Sequence, residues 1–265
     1  MKRISVFFLA LTFLYACSKS NNAGSSRPDV TGFPTASSLY DAANHILNLR
    51  TYLYDSSQNL AGVFFRENDT TNVGAGIFTV DSGSYRFHVD PATNLPSGYL
   101  LDYRKGSVGG QTVVESHLLY YNPQHQLIKD SGLLAVSGQN PNPPTKYYLP
   151  AGNTIVCNTF RNGSASQKDT LISANGNLVY AASYLSNGSG WTKAFSISYT
   201  YSTAAGPFYN QGLSNSLGAF LMEEGIGDFL SKNLTNNNGF AWVVGGNGKV
   251  ASGSTPNGDY ASFTY

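Results

Sequence analysis

Over much of this chain apolar and polar side chains alternate. From Ala194 to Tyr201 the residues Phe195, Ile197, Tyr199 and Tyr201 fall on one side of an extended backbone, and from Tyr260 to Tyr265 the residues Ala261, Phe263 and Tyr265 do the same. Successive side chains of a strand point to opposite faces, so a sustained period of two predicts half-buried strands. Between such stretches one phrase recurs six times: a large or β-branched residue, then Asp, Asn, Ser or Gly, three mostly small or polar residues, a polar residue, and an aliphatic. The copies are YDAANHI from Tyr40, YDSSQNL from Tyr54, VDPATNL from Val89, YNPQHQL from Tyr121, ISANGNL from Ile172 and VGGNGKV from Val244, with a degenerate copy, YYLPAGNTIV, from Tyr147. Each predicts a hairpin. The first residue closes one strand, the short polar side chain caps the turn, Pro, Gly and Asn supply fixed or positive φ, and the aliphatic opens the return strand. Asn162-Gly163, Asn187-Gly188 and Asn257-Gly258 predict two-residue hairpins.

Two segments compete with this reading. Ser38 and Asp41 have the spacing of a helix capping box, so Ser38 to Leu49 admits a helix, but its match to YDSSQNL favours strands. Ser216 to Leu230 places Leu217, Phe220, Leu221 and Phe229 near helical spacing behind a serine cap, and its glycines each cost about 1 kcal/mol inside a helix. The expected fold is all-β: a long antiparallel meander of hairpins forming a twisted open sheet or half-barrel, with one short helix near 216–231 covering one end.

The amino terminus reads differently. Lys2 and Arg3 precede the apolar run Val6 to Leu11, which Phe13 to Ala16 resume after Thr12. That is a secretory signal, too short for a bilayer span of about 20 residues. Leu14-Tyr15-Ala16-Cys17 resembles a bacterial lipobox, which implies cleavage after Ala16 and lipidation of Cys17; several acyl chains at about 0.8 kcal/mol per buried CH₂ anchor a protein durably. Residues 1–16 are then signal peptide, 17–37 an acylated cysteine with a polar, flexible tether, and 38–265 the β domain. Ser18 stands where the inner-membrane retention signal of enteric bacteria has Asp, which implies the outer membrane. No acid follows until Asp29, whereas surface-exposed lipoproteins of the Bacteroidota tend to carry an acidic tract there, and this favours the periplasmic face.

Composition narrows the function. Removing Lys2 and Arg3 from 16 basic residues leaves 14 against 15 acidic ones, a net charge near −1 with no basic cluster beyond Arg104-Lys105. Nucleic acid, which needs a basic footprint, is excluded as a partner. With Cys17 acylated, Cys157 has no disulfide partner, and its place in Thr154-Ile155-Val156-Cys157 predicts a buried thiol that packs as a small apolar side chain.

The paired Y-D and N-L positions of the repeated phrase resemble YD-type hairpin repeats. Together with the lipobox, CSKS and the Asn-rich meander, the chain resembles lipoproteins of the Bacteroidota. The resemblance covers roughly residues 38 to 265 and implies a sheet curling toward a half-barrel, with no chemistry attached. Asp69-Thr70-Thr71 and Asp169-Thr170-Leu171 resemble the O-glycosylation acceptor pattern of exported Bacteroidota proteins, putting forward Thr70 and Thr170.

Catalytic patterns are sparse. A hairpin at Tyr121-Asn122-Pro123 would let His117 and His125 approach, with Glu115 on the His117 face by period two; this is either a His/His/Glu zinc site or, as favoured here, exposed polar residues on a hairpin. No G-x-S-x-G elbow occurs, and Gly245-Gly246-Asn247-Gly248-Lys249-Val250 lacks the first glycine and the final Ser or Thr of a phosphate loop. Glu115, Asp102, Glu223 and Asp228 are the carboxylates a glycoside hydrolase would draw on, with Glu223-Glu224 better read as the solvent face of the short helix. Aromatics are abundant, and a sheet face lined by Trp191, Trp242, Tyr103, Tyr120 and Tyr184 would stack sugars. The expected function is that of a membrane-anchored envelope lipoprotein that binds or scaffolds a glycan or protein ligand, without catalysis, metal or cofactor. A glycan-acting hydrolase is the first alternative. The second is a small outer-membrane β-barrel, suggested by the aromatic ending Phe263-Thr264-Tyr265.

Overall fold

The computed structural model describes residues 34–56, 60–69, 79–104, 112–135, 143–175, 177–206, 233–235, 239–246 and 248–265. The signal peptide, Cys17, Thr70 and the helix expected near 216–231 lie outside the described residues. The strands are β1 (Ala36–Tyr40), β2 (Ile46–Tyr54), β3 (Leu60–Asp69), β4 (Thr79–Asp90), β5 (Leu95–Arg104), β6 (Thr112–Tyr121), β7 (Leu127–Ala135), β8 (Thr145–Ala151) and β9 (Thr154–Arg161). They continue with β10 (Ser164–Ala174), β11 (Asn177–Ser186), β12 (Trp191–Ser198), β13 (Tyr201–Ala205), β14 (Asn233–Thr235), β15 (Ala241–Val244), β16 (Val250–Ser254) and β17 (Tyr260–Thr264). Among the described residues there is no α-helix, and the segment Ser38 to Leu49 is the β1–β2 hairpin. β1 opens at Ala36, inside the stretch read as tether, and Ser37 is already buried.

From β1 to β12 every strand pairs antiparallel with the next. The last strand, β17, returns against β1 with Phe263 opposite Ser37, and β16 and β15 follow, giving one 15-stranded sheet; β13 and β14 pair separately. Among the described residues the two edges, β12 and β15, do not pair, so the sheet is open. The antiparallel meander expected from the alternation is therefore what the chain forms.

The repeated phrases are the turns. In the β1–β2 hairpin Asp41 Oδ1 accepts the amides of Ala43 at 3.0 Å and His45 at 2.8 Å, and Asn44 takes a positive φ. The β6–β7 turn repeats this: Asn122 Oδ1 accepts Gln124 and Gln126 amides at 3.0 and 2.9 Å, with His125 at positive φ. A small side-chain acceptor and one left-handed residue suffice to reverse the chain in five residues. Asn162-Gly163 forms the expected two-residue hairpin, both residues having positive φ. Asn257-Gly258 does not: it lies in the five-residue turn Thr255 to Asp259, closed by Thr255 N donating to Asp259 O at 2.9 Å. Ser254 to Tyr260 is thus a further copy of the phrase, with Thr255 as acceptor. Asn187-Gly188 is likewise part of a four-residue loop, where Asn187 Oδ1 accepts the Ser189 and Gly190 amides.

The two sides of the sheet differ sharply. The inward side carries Tyr52, Val63, Phe65, Tyr85, Tyr99, Leu101, Leu119, Tyr148, Cys157 and Phe263, all buried in one cluster. Its rings meet at a tilt: Phe65 to Tyr85 at 5.6 Å, Tyr85 to Tyr99 at 5.8 Å, both at 44°. Each such side chain contributes about 1.5–3 kcal/mol on leaving water. Cys157 is a buried thiol, as its flanks predict.

Candidate functional site

Two rows of side chains run across the strands, one on each side. On the inward side β5, β6 and β7 bring Tyr99, Glu115, His117 and Asp130 together. Asp130 is fully buried; its Oδ1 lies 2.7 Å from His117 Nδ1, and its Oδ2 accepts the Tyr99 hydroxyl at 3.0 Å. His117 Nε2 faces Glu115 Oε2 at 3.4 Å, and the Tyr99 ring stacks on the imidazole at 4.4 Å. The next strand places buried Lys146 opposite Asp130 and Thr159 opposite Lys146. Nearby, burial raises the Asp169 carboxyl above the usual range, against hydrogen bonds from Ser183 and Gln167 and the charge of Lys146. A carboxylate beside a histidine is the orienting half of a catalytic triad. Here, however, both members are buried among core aromatics, so the arrangement satisfies buried charge and ties three strands together.

The zinc reading fails on position. His117 is 3% exposed and bound to Asp130, while His125 sits exposed in the turn; the expectation that both are exposed polar residues is corrected for His117. Among the described residues no group of three or more His, Cys, Asp or Glu side chains is placed to hold a metal ion. Glu115 was legible as the neighbour of His117 by its period of two, but Asp130 was not. Its approach depends on a register shift in the β6–β7 pair that spacing does not reveal.

On the outward side, Tyr120, Lys129, Tyr147, Asn158, Lys168, Tyr184 and Lys193 stand directly opposite one another across β6 to β12. With strands spaced about 4.8 Å apart the row is about 29 Å long. Two of its lysines lie over rings: Lys129, between two of them, has its Nζ 5.2 Å from the Tyr120 centroid and 5.6 Å from that of Tyr147. Lys168 Nζ is 5.0 Å from Tyr184 and 5.4 Å from Trp191, which is paired with Ser186 on the same side. Phe160 meets Tyr147 edge to face at 5.5 Å. Tyr120, Tyr147 and Trp191 are 43%, 40% and 39% exposed. Rings that hold lysine stems flat while remaining exposed form a wet, amphipathic surface within reach of a ligand.

The five aromatics singled out from the sequence thus divide. Tyr120, Tyr184 and Trp191 share the outward surface, and Tyr147 and Phe160 join them without having been anticipated. Tyr103 and Trp242 are packing residues on the opposite side. Tyr103 stands opposite Gly83 and Trp242 opposite Gly253, where a Cβ would collide with Tyr103 and with the Trp242 ring respectively, and both aromatics pack against the main core. Trp242 also stacks on Phe240 at 4.9 Å. Thr170 lies mid-strand on the outward side between Val156 and Ala182, while the preceding Asp169 is inward and buried.

No family model matches the chain, and no curated protein matches it. Among solved structures, a porin-like protein from Bacteroides uniformis aligns with 87% of this chain and 97% of its own, at 10% identity and a TM-score of 0.33. Likeness at that level carries no argument about function.

Proposed function

We propose that this chain is a lipid-anchored protein of the outer membrane, held through Cys17 on the periplasmic face, that binds or scaffolds a glycan or protein ligand of the envelope without catalysing a reaction. The observation that carries the binding role is the outward aromatic row: Tyr120, Tyr147, Tyr184 and Trp191 arranged around lysines on an exposed sheet surface. An exposed aromatic surface of this kind marks an interaction site. A glycan stacked on these rings is the favoured ligand.

The alternatives have less support. A hydrolase needs reachable acids, and the carboxylates that converge on a histidine here, Glu115 and Asp130, lie in or against the core. A transmembrane barrel needs an apolar outer surface; this one carries Arg66, Arg86, Asp102, Lys129 and Lys168 within its strands. Arg or Lys on a lipid-facing strand costs about 2–4 kcal/mol at the bilayer midplane. Among the described residues the edges at β12 and β15 are unpaired, whereas a spanning sheet closes on itself.

The test is retention of the full-length acylated protein, in non-ionic detergent, on immobilised envelope polysaccharides. Wild type should be retained, and Tyr120→Ala with Trp191→Ala should weaken retention about tenfold with an unchanged unfolding midpoint. Retention indifferent to both substitutions would remove the aromatic row from the function.

A further inference from the structure

From Thr112 to Ser198 the chain contains three acidic residues, Glu115, Asp130 and Asp169, and all three lie on the inward side. The outward side of β6 to β12 therefore presents Lys129, Lys168 and Lys193 with no carboxylate among them. Elsewhere on the same outward side the sheet behaves differently: in β4 and β5 Arg86 lies 4.0 Å from the Asp102 carboxylate. The separation of signs is local, and it coincides with the aromatic row. Near-zero net charge for the whole molecule conceals it, because acids and lysines of the same strands face opposite ways.

Resting on the binding role proposed above, we infer that the ligand of this surface is an anionic polysaccharide lying across the strands, its sugar faces on Tyr120, Tyr147, Tyr184 and Trp191 and its acidic groups at Lys129, Lys168 and Lys193. The geometry favours a linear polymer, because the row continues unbroken over seven strands and the lysines recur along it. The rings beside Lys129 and Lys168 keep each ammonium over the row, where an incoming carboxylate meets a fixed charge. A neutral glycan would use the rings and leave the three ammonium groups without a role.

Affinity electrophoresis of the full-length protein in detergent separates these cases, with polygalacturonate, its methyl ester and hyaluronate as probes. The expected result is retardation by polygalacturonate or hyaluronate, about tenfold weaker on the methyl ester, and falling as NaCl rises from about 0.05 to about 0.5 M. The Lys129→Gln, Lys168→Gln, Lys193→Gln variant should lose about tenfold on the acidic polymers while keeping its unfolding midpoint. Equal retardation by the methyl ester, unchanged in the Gln variant but lost in the aromatic variant, would overturn the anionic ligand and leave the glycan-binding role standing. Retardation by none of the polymers would overturn the inference. So would a preference for phosphatidylglycerol vesicles over phosphatidylcholine vesicles without retardation by the polymers, which would assign the lysines to a lipid surface. Retention of an envelope protein that is lost in the aromatic variant would uphold the surface as a binding site while removing its glycan.

Discussion

At the scale of single residues, the side a side chain faces decides its worth. Tyr99 and Tyr120 are both strand tyrosines, yet Tyr99 donates to a fully buried carboxylate at 3.0 Å while Tyr120 lies in solvent beside a lysine. Removing a hydroxyl that satisfies a buried charge leaves that charge short of a partner, and hydrogen bonds to charged groups are worth about 1.5–3 kcal/mol. Tyr99→Phe should therefore lower stability by about 2 kcal/mol in urea unfolding, and Tyr120→Phe by less than about 0.5 kcal/mol. A similar loss in both would mean that the Asp130 network does not bear on stability.

At the scale of elements, the hairpin phrase shows how much local sequence achieves. A short acceptor side chain at its second position and one left-handed residue further on close most of these turns, whichever residue supplies the positive φ: Asn44, Asn94, His125 or Gly258; the Val244 copy, with Gly245 at that position and Gly248 at positive φ, closes through backbone bonds. Gly258 is the least replaceable, with a φ of 94° and a Cβ position 3.1 Å from the Ala42 Cβ of the neighbouring turn. Gly258→Ala should cost about 1–2 kcal/mol, whereas Asn44→Gly should be nearly neutral, as read by urea midpoints. The phrase was legible in the sequence because hairpin turns are closed by contacts within a few residues. The copy at Ser254 was masked by its Asn257-Gly258 pair, which mimics a two-residue turn, and only the pairing of Thr255 with Asp259 reveals the longer loop.

At the scale of the whole molecule, the buried phenols respond together. Burial pushes the hydroxyls of Tyr52, Tyr54, Tyr121 and Tyr199 well above the ordinary tyrosine value, with the nearby Asp130 charge adding to the effect at Tyr121. As pH rises past about 10 the unfolded chain loses these protons and the folded chain keeps them, so the unfolded state binds fewer protons and stability falls. Each phenol that ionises only on unfolding adds a slope of about 1.4 kcal/mol per pH unit. Exposed tyrosines such as Tyr120 and Tyr147 ionise with the sheet intact, whereas the tyrosinate absorbance of these four phenols should appear in one cooperative step together with loss of the β-sheet circular dichroism signal; below about pH 9 these groups leave stability flat. Gradual ionisation of every tyrosine with the sheet intact, leaving no cooperative step, would show that these four phenols are solvated.

The sequence by itself determined the all-β class, the antiparallel meander, the position of most turns and the burial of Cys157. These follow from alternation and turn chemistry, which act over a few residues. Tertiary structure alone decided which tyrosines became core and which surface, that Asp130 would partner His117, that β17 would return to β1, and that lysines and rings from seven strands would align on the outward side. Each of these depends on register between strands, and a shift of one residue moves a side chain to the opposite face. Bulges such as those between His88 and Val89 and between Ser183 and Tyr184 set that register, and no local pattern announces where they fall.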